Sequence, residues 1–250
     1  MIKALAAEFY KVRRRKVWLI VMALVGVQIM WMIWSCRYIN AQELKQGWMH
    51  FLYQFPMLNA IMMPVTAAVV ASKLSDTEHK GNTLKLLKTI MPAGRLFDAK
   101  FLCGSFYMVI IVVFQVLAMI AVGHVKCFYG AVPASMFGYY FLFTAAVNLT
   151  ILLLQQVLSL MFVNQMVPLS IGLIGGLGGL YTMFFSRSVQ KFILWGYYSV
   201  LAFAGMDWNA STRVCRYYWM PVNWYGLIVL TIVFFVIYIV GRSMFIRKEI

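Results

Sequence analysis

Apolar residues occur along this chain in six long stretches almost free of charge: residues 17–36, 51–71, 101–123, 135–162, 167–185 and 224–245. A bilayer hydrocarbon core about 30 Å thick takes roughly 20 apolar residues in helical form, so each stretch predicts a membrane-spanning helix. The second carries Pro56 and Pro64. Proline removes a backbone donor, and a kink or a late start is expected there. The intervals between stretches are patterned too. In residues 1–16, Ile2, Leu5, Phe9 and Val12 recur at helical spacing while Lys3, Glu8, Lys11 and Arg14 fall largely elsewhere. That is the pattern of an amphipathic helix lying in the membrane interface. Residues 72–100 carry six basic side chains. There Asp76, Thr77 and Glu78 suit a helix N-terminus, and Gly81 interrupts. Residues 83–90 then read as a short helix with Leu84, Leu87 and Ile90 on one side and Lys85 and Lys88 on another, ended by Met91-Pro92-Ala93-Gly94.

The interval 186–221 contains an apolar run, 192–204, too short to span. We read it as a re-entrant or interfacial helix, with Trp195, Tyr197, Tyr198, Trp208, Tyr217, Tyr218 and Trp219 at headgroup depth. The expected fold is an all-α polytopic membrane protein, one domain over residues 1–250. It has six transmembrane helices, an N-terminal interfacial helix, a short helix in the 72–100 loop and the 186–221 segment before the last span.

Composition and charge placement narrow the function. Hydrophobic residues make up 63% of the chain and charged ones 12%, about half the charged share of a soluble domain, so no length is left for a soluble catalytic domain. The net charge of +15 could suggest nucleic acid, but 15 of the 22 Lys and Arg lie in the lead, in residues 72–100 and in the tail. That asymmetry marks the cytoplasmic side. Both termini are placed there, which requires an even number of spans, and the basic excess serves topology and anionic lipid heads rather than nucleic acid. A cleaved signal peptide is not expected, because the first apolar stretch is too long and no small-residue cleavage site follows.

Chemistry for catalysis is not apparent. The chain has no Gly-x-Ser-x-Gly elbow, His-Glu-x-x-His pair or Walker A loop. His50, His79 and His124 are isolated, and the four cysteines show no metal spacing. Cys36, Cys127 and Cys215 share one side, which leaves room for a disulfide; we read them as free thiols. Glu8, Glu43, Asp76, Glu78, Asp98, Asp207 and Glu249 all fall in loops, tails or flanks. Ion-coupled carriers place ionisable groups inside the bundle, so energy for any transport is expected from another subunit. Within the spans, Asn148, Gln155 and Gln156 either line a substrate path or bond neighbouring helices; bonding is the commoner use. Gly172, Gly175, Gly176 and Gly179 have the four-residue spacing of close helix packing.

This order of features resembles the ABC-2 type permeases, the membrane subunits of ATP-driven exporters. The likeness is carried by Glu8-Phe9-Tyr10-Lys11 leading into the first span, by Glu78 followed by Gly81-Asn82-Thr83-Leu84 and Pro92, and by the apolar segment before the last span. Within that group the chain looks most like permeases of lantibiotic (bacteriocin) immunity and antimicrobial-peptide resistance. The resemblance implies a bacterial plasma-membrane location and a coupling helix that docks on a cytosolic ATPase. The docking residues would be Asp76, Glu78, Lys80, Gly81, Thr83, Leu84, Leu87 and Lys88. It also implies a non-catalytic chain without a cofactor of its own, ATP and Mg in the partner ATPase, and a second permease subunit, an unlike one preferred. The substrate would be an antimicrobial peptide expelled from the membrane. The alternatives are a non-transport scaffold or sensor and an exporter of another lipophilic substrate. The outer intervals are net basic, so recognition of a cationic peptide would be apolar or shape-based.

Overall fold

Six helices long and apolar enough to cross a membrane form a bundle in the computed structural model. It describes residues 2–38, 44–81, 83–209 and 214–248, excepting the side chains of Tyr38, Thr77, Thr83, Leu84, Lys85, Lys88, Arg187 and Val214. Helix α1 (Ile2–Arg14) turns through Lys16, at φ 52°, into α2 (Val17–Ser35). There follow α3 (Gly47–Lys80), α4 (Thr83–Ile90), α5 (Ala93–Val125), α6 (Ala134–Met161) and α7 (Met166–Tyr181). Two short turns, α8 (Arg187–Gln190) and α9 (Tyr197–Val200), lead into an antiparallel hairpin of β1 (Ala204–Asn209) and β2 (Val214–Trp219). Helix α10 (Trp224–Arg247) closes the bundle.

The central helices are α3 and α6, whose most apolar windows are 67% and 61% buried, against 17% for α10. Helix α2 shows why the rim needs so little burial. It turns Val17, Val21, Val25, Gln28 and Met32 inward along one stripe and leaves Trp18, Met22, Met30 and Trp34 outward. Lipid tails are as apolar as those side chains, so the outward face costs nothing in a bilayer.

Both prolines lie inside α3, which starts at Gly47, earlier than the apolar pattern predicts. Pro64 has no N–H for the carbonyl of Ala60, four residues back. Gly176 of α7 packs at that point: a Cβ there would sit 3.3 Å from the Ala60 oxygen and 3.0 Å from the Ile61 oxygen. One turn away, a Cβ on Gly172 would lie 2.6 Å from the Ala68 Cβ. Gly175 and Gly179 face the other way and meet Trp195. The four glycines thus pack α7 between α3 and the segment after α7, within one chain.

Two expectations change. Residues 72–100 are not a loop: α3 continues to Lys80 and α5 begins at Ala93. Asp76 and Glu78 therefore close α3 instead of opening a helix. Carboxylates near a helix C-terminus oppose its dipole, and the cations described below offset that. Residues 192–204 likewise do not form one interfacial helix. They make a 3-10 turn (Leu194–Gly196) and α9, then bury Tyr197, Tyr198, Leu201 and Phe203 against α3 and α6. The hairpin that follows is fastened to the start of α3. The Tyr217 N–H donates to Gln46 Oε1 at 2.9 Å, and the Tyr217 hydroxyl is 2.7 Å from His50 Nδ1. All four cysteines are unbridged.

Candidate functional site at the α1 end of the bundle

The amphipathic lead is bolted to the bundle by charge. Glu8, on α1, accepts from Lys11 Nζ at 2.8 Å and from Lys100 Nζ at 3.1 Å. Glu78, in the last turn of α3, accepts from the same two ammonium groups, at 3.0 Å from Lys11 and 2.7 Å from Lys100. Lys100 also donates to the Leu74 carbonyl at 2.7 Å. Glu8, Glu78 and Lys100 are buried. Two carboxylates and two ammonium groups leave no net charge, which is what makes their burial tolerable. Burial alone would lower the Lys11 ammonium, but the hydrogen bonds and charges of Glu8 and Glu78 outweigh it and hold it above the usual 10.5. A second, more exposed set extends the clamp: Asp76 pairs with Arg15 at 3.2 Å and with Lys80 at 3.0 Å.

The neighbouring helix ends are joined in the same way. His79 Nε2 is 3.0 Å from the Ser159 carbonyl. Asp98 accepts from the Tyr238 hydroxyl at 2.8 Å and from Arg242 Nε at 3.3 Å. Lys248 donates to the carbonyls of Leu160 and Met161 at 2.9 and 3.1 Å, satisfying the last turn of α6.

Helix α4 bridges α3 and α5 at this end. Leu87 and the following Met91 pack inward with Leu96, Phe97, Leu153 and Phe245. Leu86 and Ile90, one turn apart, point outward and are 60% and 68% exposed. This corrects the expected face: Leu87 faces the bundle, and the exposed apolar pair is Leu86 and Ile90. Glu78 is corrected too, because it is buried between Lys11 and Lys100 and presents no surface. Asp76 is half-buried among its cations, while Lys80 and Gly81 are exposed. The side chains of Thr83, Leu84 and Lys88 lie outside the described residues.

A second polar cluster sits among apolar side chains farther along the bundle. Gln115 Nε2, on α5, donates to Gln28 Oε1 on α2 at 2.7 Å and to Asn59 Oδ1 on α3 at 2.8 Å. Asn59 Nδ2 donates to the Tyr140 hydroxyl at 2.9 Å, which itself donates to Gln115 Oε1 at 2.8 Å. One closed network therefore ties α2, α3, α5 and α6. The amides singled out on α6 do something simpler. Asn148 accepts from the Tyr198 hydroxyl and Gln156 donates to the Phe97 carbonyl at 3.0 Å, and Gln155, with its amide turned so that nitrogen faces the Pro168 carbonyl and oxygen the Gly172 N–H, bonds the α7 backbone. All three are buried and diverge to three neighbours, so they share no common path.

Sequence reasoning missed Glu8, Lys11 and Lys100 as a unit with Glu78, and missed Gln28, Asn59, Gln115 and Tyr140. A signal for the second group existed. Gln28 and Gln115 are each the one amide of their apolar stretch, and a buried amide without a partner is costly.

Residues 4–179 match a family model described as ABC-2 family transporter protein. Among curated proteins none matches the chain. The match runs from α1 into the Gly172–Gly179 stripe, and so includes both polar clusters and α4. The chain therefore belongs to the ABC-2 transporter family, the membrane permeases that associate with an ABC ATPase in ATP-driven exporters.

Proposed function

We propose that this permease receives work from its ATPase at α4 and uses it to expel a membrane-active peptide of the lantibiotic class, protecting a bacterial cell. The single observation that supports α4 as the docking element is its division of labour. Leu86 and Ile90 stand out from the bundle, while Leu87 and Met91 root the helix in it. A push on that exposed pair is passed to α3 and α5, which flank α4 and are joined through Glu78 and Lys100. On this reading the α1 end, with both termini, faces the cytoplasm, as the distribution of Lys and Arg favours. Lys80 and Gly81 border the docking surface, ATP and Mg belong to the ATPase, and the chain needs no cofactor. Helix α1 is the connecting helix, and an unlike second permease completes the membrane unit. The peptide substrate rests on the resemblance to immunity permeases.

The test separates these parts. Leu86→Asp combined with Ile90→Asp is expected to abolish co-purification with the cognate ATPase, and peptide resistance with it, while membrane levels stay normal. Retained association would sink the docking assignment. For the substrate, ATP hydrolysis by the reconstituted complex should rise with added lantibiotic. A rise with another lipophile instead would reassign the cargo, and no ATPase coupling at all would favour a scaffold or sensor. Two differently tagged copies of this chain should fail to co-purify if the second permease is unlike.

A further inference from the structure

At the end of the bundle opposite α1, two adjoining concavities share one wall residue, Lys191. The first, about 280 Å³, is polar, with Gln190, Ser199 and Asn223 in its lining. Those groups are held in place: Ser199 Oγ donates to Gln190 Oε1 at 3.3 Å, and Asn223 Nδ2 donates to the Val200 carbonyl at 3.1 Å. The second, about 540 Å³, is an apolar groove lined by Phe192, Tyr197, Tyr225, Val229 and Val233. Tyr225, Val229 and Val233 form one stripe of α10, four residues apart, and run about 12 Å along the helix. That covers most of one leaflet, half of a hydrocarbon core about 30 Å thick. The Lys191 ammonium lies 5.4 Å from the centre of the Tyr225 ring, at the mouth of the groove. Among the described residues no carboxylate stands within ion-pair distance of Lys191. Phe192, 90% exposed, forms an open lip on the lipid side.

A polar pocket, a cation where the two concavities meet and an apolar groove running along α10 match one kind of molecule. We infer that this is a binding site for an anionic phospholipid of the adjacent leaflet, its phosphate at Lys191, its headgroup toward Gln190, Ser199 and Asn223, and one acyl chain along Val229 and Val233. The lining lies wholly beyond the residues matched by the family model. It is independent of the peptide assignment.

Native mass spectrometry of the detergent-purified chain, titrated with phosphatidylglycerol or phosphatidylcholine, tests it. The wild type is expected to prefer phosphatidylglycerol. Lys191→Gln should weaken that binding about five-fold, the effect of one basic residue at a lipid surface, and Lys191→Glu more. Val229→Trp, which fills the groove, should weaken both lipids. Arg37→Gln, an exposed cation off the site, should change nothing. Equal binding by the wild type, Lys191→Gln and Val229→Trp overturns the inference. So does a loss confined to the Lys191 variants or to Val229→Trp, because the site requires headgroup and chain together. Should Val229→Trp fail to fold, Phe192→Glu, a charge on the 90% exposed lip of the groove, takes its place and should weaken both lipids.

Discussion

The two buried polar clusters hold the bundle by different means. Glu8, Lys11, Glu78 and Lys100 pair full charges where α1 meets α3 and α5. Gln28, Asn59, Gln115 and Tyr140 pair neutral amides and a phenol among α2, α3, α5 and α6. A neutral group stripped of its partner can turn to another, whereas a charge stripped of its partner stays buried and uncompensated. The charged cluster is therefore brittle and suits a rigid mechanical joint. The neutral one is forgiving and suits a contact whose partners shift when helices move.

Charged and neutral pairing are expected to differ in what the loss of one partner costs. The largest effect is expected from Lys100→Met, which leaves two buried carboxylates sharing the single ammonium of Lys11 and should cost about 3–5 kcal/mol, read as a lowered Tm in detergent. Adding Glu8→Gln and Glu78→Gln to that variant should recover much of the loss; no recovery would mean that packing, not charge, is what Lys100 contributes. Gly176→Leu tests the glycine contact with α3 and should cost about 1–3 kcal/mol by overpacking, with α7 becoming more open to protease. Gln115→Leu should cost less, about 0.6–1.7 kcal/mol, the range of interhelical hydrogen bonds in lipid. A loss as large as that of Lys100→Met would erase the distinction.

Alkaline pH separates the two clusters further. Lys11 is held above its usual 10.5 in the folded chain. Its contribution is therefore complete below that value and is lost as pH rises through the raised one. A spin label at the exposed Ala6 should gain mobility above about pH 10.5, while a label beside Gln28 should not. The smallest effect belongs to Lys80→Gln. Its ammonium is largely exposed, and its pair with Asp76 should be worth roughly 0.5 kcal/mol or less.

The spans were legible because a bilayer demands long apolar helices, and six such helices are present. Their ends were less legible. The polar residues after Ala71 read as loop, yet α3 continues to Lys80, because carboxylates that look soluble in isolation find Lys11 of α1 and Arg15 just beyond it in the folded chain. The split of α4 was half right. Its amphipathic character was readable, but which side faces the bundle depended on Leu96, Phe97 and Phe245, and they turn Leu87 rather than Leu86 inward. The hairpin from Ala204 to Trp219 was hidden by its apolar and aromatic composition, although the β-branched and aromatic content of β2 is strand-like.

The sequence by itself determined the number of spans, the amphipathic lead, the short bridging helix, the glycine stripe and the family, because each is a local pattern of one or a few turns. Only the tertiary structure decided who pairs with whom. Lys100 and Glu8 are 92 positions apart and Gln28 and Gln115 are 87 apart, and no local rule connects them. They meet because a buried charge or amide must find a partner, and in this bundle the other helices supply it.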